Sequence, residues 1–261
     1  MVPQALFSII YHKTMKILIY TAANGHYVDY SQIWEYCIRY SYPDYDCKCE
    51  VLTLSSKQPT YYSACYRLIT RPSNDYDYIY VTDVDMLILP EEPSLSEFHI
   101  AEMEAEKLCY SNTPRKKEVM GPRRLTGLHF ASQEWYDKTQ EQRDYYLHAI
   151  SGGLIGHGRF DDELMLMKIC TESHLPIPGR KHLISRHHGI HLGTIRAYIN
   201  HSRQQMRRQL LMRINRHQAA QWVEIADQPE FKIIVRNMGN KTIRDELTIL
   251  YAFCRSLLNG Q

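Results

Sequence analysis

The sequence lacks the features that mark several large classes of protein. Its 261 residues contain no run of about 18 apolar residues, so we expect no transmembrane helix. Residues 1–14 show no pattern of signal-peptide cleavage. The Gly-x-Gly-x-x-Gly fingerprint and the P-loop are both absent, which argues against enzymes that use NAD or ATP. The net charge is only +2, and nothing global therefore points to nucleic acid as a partner.

Cysteine pairs at metal-ligand spacing are also missing. Cys47 and Cys49 are one residue apart, but no second pair accompanies them, and the other five cysteines are scattered. A zinc site built on cysteines is therefore not expected. We interpret the seven cysteines as reduced thiols, which are typical of cytoplasmic proteins, and predict a cytoplasmic protein.

Strands and helices alternate through the first third of the chain. Apolar runs rich in β-formers are separated by amphipathic stretches. Such alternation predicts βαβ units and an α/β fold, with a mostly parallel sheet flanked by helices. A polar turn is predicted at residues 21–25, where the first strand ends. The predicted strands cover residues 15–20, 50–54 and 78–81, and the predicted helices cover residues 30–40 and 61–70.

Two carboxylates one residue apart follow the third predicted strand. Asp83 and Asp85 come directly after its apolar residues, and a second apolar run then ends at Pro90. Burying unpaired carboxylates costs free energy, and a divalent cation bound by oxygen ligands is the usual compensation. We therefore expect a cation at this pair. A turn that carries two solvated aspartates is the alternative.

This strand with its Asp-x-Asp resembles the corresponding segment of nucleotide-sugar glycosyltransferases of the GT-A fold, and distantly of glycogenin-like members. In that family the motif holds Mn²⁺ or Mg²⁺ against the diphosphate of the donor. The resemblance covers roughly residues 15–200. It depends on the order of the pieces, which are a loop after the first strand, a basic helix, the Asp-x-Asp, a Gly-rich stretch before an acidic helix start, and late histidines.

The resemblance implies residues for the donor nucleotide-sugar. A small-residue loop after the first strand would approach the base, and Arg67 on the helix before the motif would contact the donor. A guanidinium suits this role because it donates bidentate hydrogen bonds to phosphate. The implied donor-binding residues are Thr21, Ala22, Ala23, Tyr27, Arg67, Asp83 and Arg196.

A Gly-rich segment and an acidic helix start follow in residues 150–167. Carboxylates at a helix N-terminus favour the helix dipole, and capping alone can explain them. The resemblance implies that Asp162, or Asp161 in its place, is the general base or contacts the transferred sugar. It also implies acceptor contacts from Gly152, Gly153, Thr126 and His129. For Thr126 and His129, a place in a core strand is the alternative.

Three histidines lie within five residues at positions 187, 188 and 191. The resemblance implies that His188 or His191 completes the metal shell, and a mixed oxygen and nitrogen set suits Mn²⁺. A surface cluster of histidines is the alternative.

Acidic residues are absent between Ser173 and Val223, although the stretch is rich in arginine. We predict a GT-A-like domain over residues 15–200, with a basic helical region over 201–261 packed on it. One interpretation of the basic region is peripheral contact with the inner face of a membrane or with a lipid-linked acceptor. Contact between copies of the chain and a solvated helix face are the others.

The expected function is that of a metal-dependent glycosyltransferase, a hexosyltransferase. It would move a sugar from a nucleotide-sugar, a UDP-sugar by the resemblance, to a hydroxyl of a glycan or glycolipid in polysaccharide synthesis. The cofactor would be Mn²⁺ or Mg²⁺. Two other classes stay open. One is a metal-dependent phosphohydrolase with Asp83 as nucleophile, and the other is a non-catalytic carbohydrate-binding module.

Overall fold

The structure, a computed structural model, describes residues 15–55, 58, 61–115, 123–154, 161–179, 188–198 and 202–260. It is an α/β fold with a mixed sheet flanked by helices. The strands are β1 (Ile17–Ala23), β2 (Asp46–Val51), β3 (Tyr78–Val81), β4 (Met86–Ile88), β5 (Tyr110–Ser111), β6 (Pro114–Arg115), β7 (Arg124–Leu125), β8 (His129–Ser132) and β9 (Gly189–His191). The helices are α1 (Ser31–Ser41), α2 (Tyr62–Ile69), α3 (Leu95–Glu106), α4 (Gln133–Lys138), α5 (Gln140–Ser151), α6 (Asp161–Glu172), α7 (Gly193–Tyr198), α8 (Arg203–Leu211), α9 (Arg216–Asp227), α10 (Pro229–Asn237) and α11 (Lys241–Leu258).

The main sheet has the strand order β2-β1-β3-β8-β5. The first three strands are parallel, but β8 runs antiparallel to both of its neighbours. The prediction of a mostly parallel sheet therefore needs correction, because only one half of this sheet is parallel. The reason is the connection between β5 and β8, which passes through the antiparallel pair β6 and β7. Strands joined in this way reverse direction, whereas a parallel neighbour requires a crossover helix.

The first strand is longer than predicted. Residues 21–23 were expected in a turn, but Ala22 and Ala23 pair with Glu50 and Val51 of β2. Strand β2 accordingly begins at Asp46 rather than at residue 50. The turn prediction was wrong because small residues at a strand end also fit a buried strand once a neighbouring strand supplies the backbone hydrogen bonds.

Two hydrophobic clusters cover the two faces of the sheet. Strand β3 contributes to both, with Tyr80 in one cluster and Ile79 in the other, as the period of a strand requires. The first cluster also contains Trp222 of α9 and Leu250 of α11. The C-terminal helices thus bury apolar side chains against the same face of the sheet as α1, and this burial is the main favourable contribution to their docking.

The short ribbon of β4 and β9 joins two distant parts of the chain. Antiparallel pairing places His191 opposite Met86, and the Leu192 amide donates to the Asp85 carbonyl over 2.9 Å. Gly189 makes this pairing possible. Its φ is +148°, and a Cβ at this position would lie 1.8 Å from the Leu87 carbonyl oxygen, so a side chain would separate the two strands.

The cysteines, the membrane-span prediction and the N-terminal residues can be compared with the structure in turn. All seven cysteines are unpaired thiols, as expected. Within the described ranges, no helix combines the length and the apolar character needed to cross a membrane. The predicted N-terminal extension, residues 1–14, lies outside the described residues.

Candidate metal centre and surrounding site

Asp83, Asp85 and His191 come together beyond the carboxyl end of β3. One potential ligand atom from each residue lies within 4.8 Å of those from the other two. Asp83 and Asp85 are held in the turn between β3 and β4, and β9 carries His191 to them. Two carboxylates and one imidazole form a donor set that suits Mn²⁺ or a similar divalent cation. The three residues could therefore hold a divalent cation.

The Asp85 carboxylate is fixed from both sides. Its Oδ1 lies 3.1 Å from His191 Nε2, and its Oδ2 lies 3.1 Å from Arg196 Nη2. The side chain is only 7% exposed. Burial alone would raise the pKa of the Asp85 carboxyl, but His191 and Arg196 outweigh it and hold that pKa well below its usual range. Asp85 is therefore ionised at neutral pH.

His191 carries the complementary charge. Burial alone would lower its pKa, but the Asp85 carboxylate, with a smaller contribution from Asp83, raises the pKa of His191 to about 9. The imidazole is therefore protonated at neutral pH in the metal-free protein, and a cation that binds here must displace this proton.

Gly193 leaves room for the imidazole at the start of α7. A Cβ at this position would lie 2.9 Å from His191 Cε1 and Nε2, and 3.4 Å from Asp85 Oδ2. We expect Gly193→Ala to push the ring away from Asp85 and to weaken Mn²⁺ binding about tenfold, as losses of supporting groups around a metal do. Isothermal calorimetry measures this change. Gly239→Ala is the matched control, because a Cβ there has no heavy atom within 4 Å. Equal affinities in the two variants would contradict the prediction.

Arg67 connects the candidate metal centre to the start of α6. Its Nη1 lies 2.5 Å from Asp83 Oδ1, its Nη2 lies 3.5 Å from Asp162 Oδ2, and its side chain is 3% exposed. Gly127 packs beside this bridge, since a Cβ there would lie 3.0 Å from Arg67 Nη2 and 3.3 Å from Asp162 Oδ2. A buried guanidinium between two carboxylates offsets part of their mutual repulsion and fixes their separation.

The pKa of the Asp162 carboxyl is raised in this position. Burial raises the pKa of its carboxyl to about 6, Arg67 opposes that rise, and Asp83 and Glu163 add to it. A carboxylate with a pKa near neutrality is suited to general-base chemistry. Asp161 is its neighbour in the first turn of α6, and both lie where the sequence predicted an acidic helix start.

The predicted base-binding loop has a different environment. Thr21, Ala22 and Ala23 are buried within β1, and the Thr21 hydroxyl donates to the Thr82 carbonyl over 2.8 Å. Their side chains fill the core instead of lining a loop. Tyr27 lies nearer the cluster, where its hydroxyl accepts from Arg196 Nη1 over 3.2 Å.

His188 occupies a separate buried network, whereas His191 joins the two aspartates. The Nδ1 atom of His188 lies 2.8 Å from Glu91 Oε2, and its Nε2 atom lies 2.8 Å from His99 Nε2. His99 Nδ1 in turn lies 2.9 Å from the Ser111 hydroxyl. Of the two histidines predicted for the metal, the structure thus places one at the aspartates and uses both ring nitrogens of the other in the core.

The predicted acceptor residues are divided between the core and the end of α5. Thr126 and His129 are buried in the core, and the Thr126 amide donates to Asn112 Oδ1 over 2.9 Å. Gly152 is the C-cap of α5, and Gly153 has a φ of +74°. The Gly-rich residues 156 and 158 lie outside the described residues.

His129 predicts a dependence of stability on pH. The ring is fully buried, and burial lowers its pKa to about 3 from the ordinary 6.5. Between these values the unfolded state binds the proton and the folded state does not, so stability falls as the pH decreases. From pH 6.5 to pH 5 this group alone costs about 2 kcal/mol. We expect His129→Phe to remove that part of the acid sensitivity, as measured by urea unfolding at both pH values. Identical pH dependence in variant and wild type would contradict the prediction.

Sequence reasoning missed several residues of the site. Glu246 on α11 is fully buried and lies 2.8 Å from Arg196 Nε, and the Tyr30 hydroxyl donates to it over 2.8 Å. One signal was present in the sequence, because Glu246 is an acidic residue among the apolar positions of an amphipathic helix, next to Leu247. Gly127 and Gly193 gave no such signal, since close packing against a glycine appears only in three dimensions.

Comparison with known proteins does not assign the chain to a family. No protein-family model, no curated protein and no solved structure matches this chain.

Proposed function

We propose that this protein is a metal-dependent glycosyltransferase of the GT-A type, which moves a sugar from a nucleotide-sugar to an acceptor hydroxyl. One observation carries the proposal. The cation cluster of Asp83, Asp85 and His191 is joined through Arg67 to Asp162, whose pKa lies near neutrality. A metal-binding group and a candidate base therefore belong to one site, and they come from segments far apart in the chain.

The position of this site in the sheet supports the proposal. Asp83 and Asp85 follow β3, which is parallel to β1, and ligands of α/β proteins bind beyond the carboxyl ends of parallel strands. Strand β8 lies beside β3, in the position of the strand that returns next to the Asp-x-Asp strand in GT-A enzymes.

Each residue has a role in this proposal. Asp83, Asp85 and His191 would hold Mn²⁺ or Mg²⁺, which stabilises the charge that develops on a departing nucleoside diphosphate. Arg196 donates a hydrogen bond that orients Asp85, and Arg67 fixes Asp83 and Asp162. Asp162 would accept the proton of the acceptor hydroxyl, since above pH 6 it is largely ionised.

The donor class and the acceptor follow from the resemblance and from the basic C-terminal region. A UDP-sugar is the proposed donor, and a glycan or glycolipid of polysaccharide synthesis is the proposed acceptor. Exposed Arg207, Arg208 and Arg213 lie next to exposed Leu211 and Met212. A surface of this composition suits a lipid-linked anionic acceptor at the inner face of a membrane.

Thermal unfolding against nucleotide ligands tests the proposal. A ligand that binds the native state raises the melting temperature by mass action. We expect stabilisation by one of the UDP-, GDP-, CMP- or dTDP-compounds, and only in the presence of Mn²⁺. No nucleotide effect with or without Mn²⁺ would contradict the proposal and leave a carbohydrate-binding module as the better interpretation.

One observation favours a second function. Asp83 is 34% exposed, whereas Asp85 is 7% exposed, and a nucleophile has to reach its substrate. A metal-dependent phosphohydrolase with Asp83 as nucleophile would be stabilised by Mn²⁺ with a phosphoryl analogue such as beryllofluoride, and not by nucleotides. That result would replace the transferase proposal.

A further inference from the structure

A buried carboxylate of the C-terminal helix reaches the candidate metal centre through one arginine. Glu246 has no exposed surface. Its Oε1 lies 2.8 Å from Arg196 Nε, and its Oε2 lies 3.4 Å from Arg196 Nη2. A carboxylate this deep requires a cation and hydrogen bonds around it. Arg196 is that cation, and the Tyr30 hydroxyl donates the further hydrogen bond.

Arg196 is held on several sides at once. Besides Glu246, its guanidinium donates to the Tyr30 hydroxyl over 2.6 Å and to the Tyr27 hydroxyl over 3.2 Å. Its central carbon lies 5.4 Å from the centre of the Tyr27 ring and 5.1 Å from that of Tyr30. The hydrogen bond to Asp85 Oδ2, over 3.1 Å, is therefore one of five hydrogen bonds that the Arg196 guanidinium donates. A guanidinium with so many partners stays in place whatever happens at Asp85.

The charge of Arg196 presents a problem for a cation at Asp85. A positive group in direct contact with one ligand carboxylate repels a divalent cation bound to the same carboxylate, and more strongly in a partly buried site than in water. Glu246 removes this problem because its negative charge lies against the same guanidinium. The pair has no net charge, yet it still donates a hydrogen bond that orients Asp85.

We propose that Glu246 is a positioning residue of the metal centre, which neutralises and fixes Arg196 so that Asp85 is oriented without loss of affinity for a divalent cation. This inference rests on the proposed cation site. It makes α11 a part of that site, because the residue that balances its charge comes from a helix more than 150 residues after Asp85.

Calorimetric titration of purified variants with Mn²⁺ alone tests this role. We expect Glu246→Gln to bind Mn²⁺ about tenfold more weakly than wild type, because the charge of Arg196 is then uncompensated. The double variant Glu246→Gln with Arg196→Met should regain most of that loss, since it removes the repelling charge as well. A purely structural role predicts the opposite, because a second substitution at a buried pair would then add to the damage.

The control is Asp245→Asn, which removes the same charge from the adjacent, half-exposed position of α11. It should bind Mn²⁺ like wild type, and urea unfolding checks that every variant is folded. The inference is overturned if Glu246→Gln binds like the control, or if the double variant binds more weakly than Glu246→Gln. Absence of Mn²⁺ binding by wild type is a different result, because it rejects the cation site itself and with it the proposed function.

Discussion

Arg67→Met is expected to lower the free energy of unfolding by about 2–3 kcal/mol at pH 8. The substitution removes the positive charge that lies between Asp83 and Asp162. Loss of one partner from a buried ion pair costs about 3–5 kcal/mol, and we take a smaller value because both carboxylates retain some exposure to solvent. Urea unfolding measures the difference between variant and wild type.

The loss should depend on pH in a defined direction. In the wild type the pKa of Asp162 is raised from 3.8 to about 6. A carboxyl with a raised pKa stabilises the fold below 3.8, and that stabilisation is lost as the pH rises through 6. Without Arg67 the pKa of Asp162 rises further. The stabilisation by the protonated Asp162 carboxyl is then lost over a range that extends to higher pH. The deficit of the variant should therefore be smaller at pH 5 than at pH 8.

Arg71→Met is the matched control for Arg67→Met. Arg71 also pairs with an aspartate, but its partner Asp137 is 65% exposed, and pairs at the surface contribute about 0–1 kcal/mol. We expect a small and nearly pH-independent effect there. If Arg67→Met lowered the free energy of unfolding as little as this control, Arg67 would not be the bridge between the candidate metal centre and Asp162.

Asp85→Asn is expected to weaken Mn²⁺ binding by more than about 100-fold, because loss of a ligand should exceed the 10–100-fold typical of losses among supporting residues. The fold should persist, with a change of about 1 kcal/mol, because Arg196 keeps Glu246 as its partner. The pKa of His191 should fall from about 9 to below its ordinary 6.5, since Asp85 is the main group that raises it and burial opposes it.

Two measurements check this second prediction. Calorimetry gives the Mn²⁺ affinity, and an NMR titration of the His191 ring gives its pKa. The control Asp75→Asn removes a carboxylate in the polar turn before β3, where it accepts a hydrogen bond from the Ser73 hydroxyl, and it should leave both quantities unchanged. Wild-type affinity in Asp85→Asn would remove Asp85 from the metal site, and with it the proposal that depends on that site.

Local patterns predicted the elements better than their arrangement. Amphipathic periodicity located α1 and α2 to within a residue or two, because side-chain spacing on a helix is a property of the segment itself. The limits of β1 and β2 were missed, since Ala22 and Ala23 become part of a strand only through pairing with β2. The reversed direction of β8 was missed for the same reason, because strand direction is fixed by neighbours distant in sequence.

The candidate site was predicted in part. Asp83 and Asp85 stood out because two carboxylates after an apolar strand are costly unless a cation or basic groups compensate them. Asp162 stood out at a helix start, although its raised pKa follows from burial, which the sequence does not show. His188 and His191 could not be separated by sequence, because both lie in one short basic segment. The register of β4 and β9 alone decides that His191 reaches Asp85.

By itself, the sequence determined the α/β class, the helical C-terminal region and the two aspartates after the third strand. Each of these depends on residues that are neighbours along the chain. The tertiary structure decided the rest, namely the mixed sheet, the choice of His191, the bridge through Arg67 and the role of Glu246. These depend on groups separated by up to 216 residues, as from Tyr30 to Glu246, and only the folded chain brings them within hydrogen-bonding distance.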